Sequence, residues 1–135
     1  MISIGIDPGK HTGVAVWNGK EFLEMKTLLI HQAMKLVEVY AAQCGNDMKV
    51  YFEDARLRTW YGNCDTSAKL QGAGSIKRDC IIWEDFLTDL KIPYKATPPM
   101  PGGTKLSPDY FKVLSGWSGK TSNHARDAAI LVIGK

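Results

Sequence analysis

The sequence is short of cysteine, of long apolar runs and of repeats, and each shortage removes a class of protein. Its 135 residues include three cysteines, Cys44, Cys64 and Cys80, odd in number and widely spaced. They form no Cys-x-x-Cys pair, so neither a disulfide framework nor a zinc site is expected, only free, largely buried thiols. No stretch approaches the roughly 20 apolar residues that cross a bilayer. The opening Met1-Ile2-Ser3-Ile4-Gly5 lacks the basic and apolar regions of a signal peptide. A cytoplasmic protein with no membrane partner is therefore expected. With no low-complexity tract or linker, residues 1–135 read as a single domain, long enough to bury a core unaided.

What is present is ordinary in bulk: 44% hydrophobic and 23% charged residues, with a formal net charge of +3. The distribution of charge says more. Between residues 56 and 78 the cations Arg56, Arg58, Lys69, Lys77 and Arg78 face only Asp65. A polyanionic partner is one explanation, and a solvated loop and helix face is the other.

Apolar periodicity lays out the elements. Ile2–Asp7 reads as a buried strand ended by Pro8-Gly9-Lys10. Thr12–Trp17 is a second strand, and Asn18-Gly19 turns it back into Glu21–Thr27. Ile30, Ala33, Met34, Val37, Tyr40, Ala41 and Cys44 follow helical spacing up to Gly45. Met48–Glu53 is a fourth strand, followed by a loop that carries Trp60 and Tyr61. Leu70, Ala73, Ile76, Cys80, Trp83, Leu87 and Leu90 mark a second helix, weakened locally by Gly72 and Gly74. A short fifth strand (93–97), an irregular Pro-Gly segment and a short helix (108–117) follow. A last helix runs from His124 to about Ile133, with Asn123 placed to cap it. Helices between strands imply parallel crossovers. The expected fold is thus α/β, a five-stranded mixed sheet (three antiparallel, two parallel) flanked by helices.

Candidate chemistry gathers at three distant places. Asp7 ends the first strand and Glu53 the fourth, while His124 and Asp127 lie three apart on one face of the last helix. Each has a plain structural role open to it: a turn cap, a solvated strand end, a charge at a helix start, a surface imidazole. Their joint placement weighs against that. A central first strand beside the fourth brings Asp7 and Glu53 together beyond the strand ends, where α/β sheets hold their sites. The closing helix can deliver His124 and Asp127 to the same spot. Three crowded carboxylates need cations, and oxygen ligands suit Mg2+, with Mn2+ able to substitute. Two such ions roughly 3.5–4 Å apart can activate water against a phosphodiester. Asp7 would bridge them, with Glu53 and Asp127 each favouring one. His124 could be a ligand or could deprotonate the water.

These residues sit in recognisable motifs. Residues 5–16 (GIDPGKHTGVAV) resemble the opening strand and turn of RuvC-type Holliday junction resolvases, members of the ribonuclease H-like superfamily. Val50-Tyr51-Phe52-Glu53 is similar to that family's strand with the catalytic glutamate. Asn63, Asp65, Lys69 and Leu70 fall where the family enters its long helix. Residues 124–129 (HARDAA) resemble the final motif, with His where many members have Asp. The resemblance spans almost the whole chain, though only the first and last motifs are specific. The chain is shorter than typical bacterial members, as a compact phage form would be.

The resemblance implies a metal-dependent endonuclease, a homodimer, that cuts a four-way DNA junction on two opposed strands. Lys105 looks like a family lysine near the active site. Trp60 and Tyr61 would then stack on an unpaired base, at about 1–3 kcal/mol per base, unless one of them packs on the core. Arg56, Arg58, Lys69, Lys77, Arg78 and Lys105 would contact phosphates. Another nuclease of the same fold, such as a YqgF-type ribosomal RNA processing enzyme or a hybrid-cleaving ribonuclease H, is the competing expectation. A non-catalytic junction-binding module is a third. Residues 5–12 also resemble a phosphate-binding P-loop, but the glycine spacing is one short and His11 stands where Ser or Thr belongs. Actin-like kinases open similarly but need two such domains.

Overall fold

The computed structural model of the chain describes residues 1–58, 67–99 and 106–135, and of residues 67–73 the backbone alone. Five strands form one sheet: β1 (Ile2–Asp7), β2 (His11–Trp17), β3 (Phe22–Leu29), β4 (Met48–Glu53) and β5 (Tyr94–Thr97), in the order β3-β2-β1-β4-β5. β1–β2 and β2–β3 are antiparallel, while β1–β4 and β4–β5 are parallel. The helices are α1 (Ile30–Cys44), α2 (Ser67–Asp89), α3 (Pro108–Ser115) and α4 (Asn123–Ile130).

The apolar alternation of β1 and β4 sorts their side chains onto two faces. Ile4, Ile6, Val14, Val16, Val50 and Phe52 point to one face, against Ala33 and Val37 of α1 and Cys80, Trp83 and Leu87 of α2. The opposite face is covered over β1, β2 and β3 by α4. There Ala15, Trp17, Phe22 and Met25 meet Phe111 of α3 and Ala125, Ala128 and Ala129 of α4. Each large side chain fully removed from water, such as Trp83 or Phe52, contributes about 1.5–3 kcal/mol.

Several boundaries depart from sequence expectation, most of them by a residue or two. β3 continues two residues further, because His11↔Leu29 and Thr12↔Leu28 extend its ladder with β2. α1 then starts without a polar cap, and the Gln32 side chain accepts the Leu29 N–H instead (3.0 Å). The cap of α4 is Ser122 rather than Asn123: its hydroxyl accepts from the Ala125 N–H (3.0 Å). α4 itself ends at Ile130, after which the chain continues as turns. Strand order, strand direction and helices on both faces bear out the expected α/β fold, a five-stranded mixed sheet with three strands antiparallel and two parallel. Among the described residues no helix is long and apolar enough to cross a membrane.

Candidate active site at the carboxyl ends of β1 and β4

Ile6 pairs with Phe52 across the parallel β1–β4 ladder. The next residues, Asp7 and Glu53, therefore leave the sheet at the same edge, on the face that α4 covers. Two glycines set how closely that helix can lie. A Cβ on Gly13 would collide with the His124 carbonyl oxygen and stand 3.1 Å from the Ala125 nitrogen. One on Gly5 would collide with the Ala128 carbonyl and stand 3.4 Å from Val132 Cγ1. The bare backbones of β1 and β2 thus form the seat of α4.

So seated, α4 brings His124 Nδ1 to 3.0 Å from Asp7 Oδ2, across 117 residues of sequence. Asp7 is 16% exposed and His124 54%, so the pair lies at the mouth of the site. Glu53 carries the electrostatic record of the meeting. Burial first, then the charge of Asp7, then that of Asp127, push its carboxyl up to about 7, with Arg58 opposing. Sequence-predicted Asp7, Glu53, His124 and Asp127 are therefore one cluster, with Arg58 in its field. Among the described residues no three His, Cys, Asp or Glu side chains stand ready to enclose a metal ion. The donor set nevertheless fits a hard divalent cation: carboxylate oxygens whose unrelieved repulsion falls on a partly buried Glu53.

Burial and that repulsion together have a sign in pH. Glu53 binds its proton more tightly folded than unfolded, so stability is full below pH 4.5 and declines as pH rises towards 7. Because Glu53 is only partly buried, solvent screening keeps the decline well below the full worth of the shift. Melting in chelator from pH 4.5 to 8 should show it, and Glu53→Gln should flatten the curve. A wild-type profile as flat as that of the variant would mean that neither burial nor the neighbouring carboxylates hold the Glu53 proton.

Behind Glu53 the strand end is tied to α2, a link that no motif announces. Cys80 Sγ donates to the Glu53 carbonyl (3.6 Å). Arg56, expected among the phosphate contacts, has its guanidinium on Asp54 (2.9 and 2.7 Å) and on Glu84 of α2 (2.9 Å). Burial would raise the Asp54 carboxyl, but the hydrogen bonds and charge of Arg56 outweigh it and hold it below the ordinary range. With Asp54 only 2% exposed, Arg56→Ala strands a buried charge and should cost roughly 3 kcal/mol. Thermal denaturation checks this, and adding Asp54→Asn should restore part of the loss. Arg126 was also missed. It is buried, donates to the carbonyls of Leu106 (3.1 Å) and Thr121 (2.8 Å), and so fixes the approach to α4.

Of the remaining candidates, Arg78 is exposed and Lys77 half-buried on α2, one turn or less before Cys80. Trp60, Tyr61 and Lys105 lie outside the described residues, as does the side chain of Lys69.

Neither a protein-family model nor a curated protein sequence matches the chain. Among solved structures, the crystal structure of Fowlpox virus resolvase with substrate Holliday junction DNA is similar over 95% of this chain and 95% of that chain. Sequence identity is 11% and the TM-score 0.44.

Proposed function

We propose that the chain is a divalent-metal-dependent endodeoxyribonuclease of the RuvC type, resolving four-way DNA junctions by phosphodiester hydrolysis. The observation that carries this is the convergence of both chain ends on one point. His124 contacts Asp7, and burial together with the charges of Asp7 and Asp127 raises Glu53. The RuvC-like motifs at residues 5–16, 50–53 and 124–129 support the same reading.

Asp7, Glu53 and Asp127 would hold magnesium, or manganese in its place, which supplies Lewis acidity at the phosphoryl group. Asp7 also orients His124. In the tautomer whose Nδ1–H donates to Asp7, the Nε2 lone pair faces outward, able to take a proton from the attacking water or to complete the ligand set. Arg58, Lys69, Lys77, Arg78 and Lys105 would position phosphates, with Trp60 and Tyr61 against an unpaired base.

Symmetric cutting calls for two copies. On α2, Ile81 and Ile82 are 44% and 40% exposed and lie between Arg78 and Asp85. Two such helices running antiparallel would set isoleucine on isoleucine and each Arg78 beside the other copy's Asp85. Ile81→Asp should therefore shift sedimentation from dimer to monomer, and an unaltered dimer would exclude this face.

The test of function is a gel comparison of labelled four-way junction, flap, linear duplex and RNA–DNA hybrid, with magnesium and with manganese. Paired cuts in opposed strands of the junction are expected. Cutting of hybrid or RNA with junctions left whole would assign the site to another nuclease of this fold, and no cutting at all would leave a binding module.

A further inference from the structure

We infer that Lys49, Tyr51, Lys95 and Lys135 form a track for the phosphodiester backbone of a nucleic-acid arm leading into the carboxylate site. The inference rests on the nuclease reading above and adds a contact surface that the basic stretch at residues 56–78 does not include.

Alternation along β4 turns Met48, Val50 and Phe52 into the core and Lys49, Tyr51 and Glu53 to the other face. On β5, Tyr94 and Ala96 pack towards the core, which leaves Lys95 and Thr97 on the face of Glu53. Register then sets them side by side, Tyr51 with Lys95 and Glu53 with Thr97. α4 packs over β1, β2 and β3, and on the remaining half of this face Lys95 and Lys135 are exposed. Lys49 Nζ stands 5.5 Å and Lys135 Nζ 5.2 Å from the centre of the Tyr51 ring. One tyrosine thus gathers two ammonium groups, with a third on the adjacent strand.

Among the described residues none of these three lysines is in an ion pair, whereas Lys26, Lys35 and Arg56 each have a carboxylate. The ring quadrupole offsets only part of the repulsion between them. An anion is the missing term, and its shape follows from the spacing. Lys49 to Glu53 spans four residues, about 13 Å at roughly 3.3 Å each. Three ammonium groups gathered at one ring and the strand beside it call for more negative charge than one phosphodiester carries, so neighbouring phosphates of a strand suit them, and β4 leads from there to the carboxylates.

The test uses the whole protein in calcium buffer, with fluorescence anisotropy of labelled four-way DNA junction, linear DNA duplex and RNA–DNA hybrid across a salt series. The variant Lys49→Ala/Lys95→Ala/Lys135→Ala is compared with Lys20→Ala/Lys35→Ala/Lys91→Ala, which removes equal charge elsewhere. For the track variant the slope of log affinity against log salt should shrink by about 3, with an affinity loss of at least about tenfold near physiological salt. The control should keep the wild-type slope. Melting curves confirm folding, and the single exposed change Lys95→Glu should lower affinity in the same direction.

Wild-type slope and affinity in the track variant, or an equal loss in the control, would overturn the track. If that happens while wild type still cuts junctions with magnesium, the track alone falls. If the track variant loses its slope but wild type cuts nothing, the surface stands as a nucleic-acid site and the nuclease reading falls. Wild type that binds none of the probes ends both.

Discussion

Replacing Asp7 by asparagine is expected to slow junction cleavage at least about 10³-fold, some 4 kcal/mol of barrier, while the protein stays folded. Asparagine is nearly the size of aspartate, and its amide oxygen can still accept a hydrogen bond from His124. What it lacks is the negative charge, and the site is built around charge. The same loss removes one of the two carboxylates that raise Glu53, so the variant should melt no lower than wild type in chelator. Junction affinity should be kept or improved, because a group that repels phosphate has gone. Single-turnover cleavage, melting and anisotropy separate these effects. Cleavage within tenfold of wild type would place the chemistry elsewhere.

The second large effect is steric. Gly13→Ala puts a methyl group into the His124 carbonyl, and Gly5→Ala puts one into that of Ala128. Both obstacles are backbone on a packed helix, so neither can swing aside. The sheet and α4 must separate, at a cost of about 3 kcal/mol or more for a clash of this kind. Activity should fall further than stability, since the first turn of α4 carries both His124 and Asp127 and a small misplacement of reacting groups is costly. Gly74→Ala in α2 is the control. An added Cβ there meets nothing within 4 Å, and the change should be neutral or stabilising by up to about 1 kcal/mol. A Gly13→Ala protein that melts and cuts like wild type would show that α4 does not depend on this seat.

Much of the fold was legible because the sequence is locally consistent. The apolar runs of β1 and β4 and the helical spacing of α1 up to Gly45 all appear where periodicity set them. Asp7, Glu53, His124 and Asp127 could be grouped because a central first strand beside the fourth leaves little choice of where their ends emerge. The supports of that group were not legible. A glycine inside a strand announces a close approach without saying what approaches, so the role of Gly5 and Gly13 waits on α4. Arg56 counted as one more cation in a basic stretch, and only coordinates show that Asp54 and Glu84 claim its guanidinium. Lys49, Lys95 and Lys135 lie far apart in sequence and become neighbours through β4–β5 register and the course of the chain after α4. The cap of α4 moved by one residue because Ser122 and Asn123 are both good caps, and packing chose between them.

The most direct measurement is anomalous diffraction from crystals of the chain grown with manganese. Density is expected at the ends of β1 and β4, within ligand distance of carboxylate oxygens of Asp7, Glu53 and Asp127. It should vanish in Asp7→Asn. Manganese bound at some other place in a protein that still cleaves junctions, with that cluster empty, would contradict the proposal at its centre.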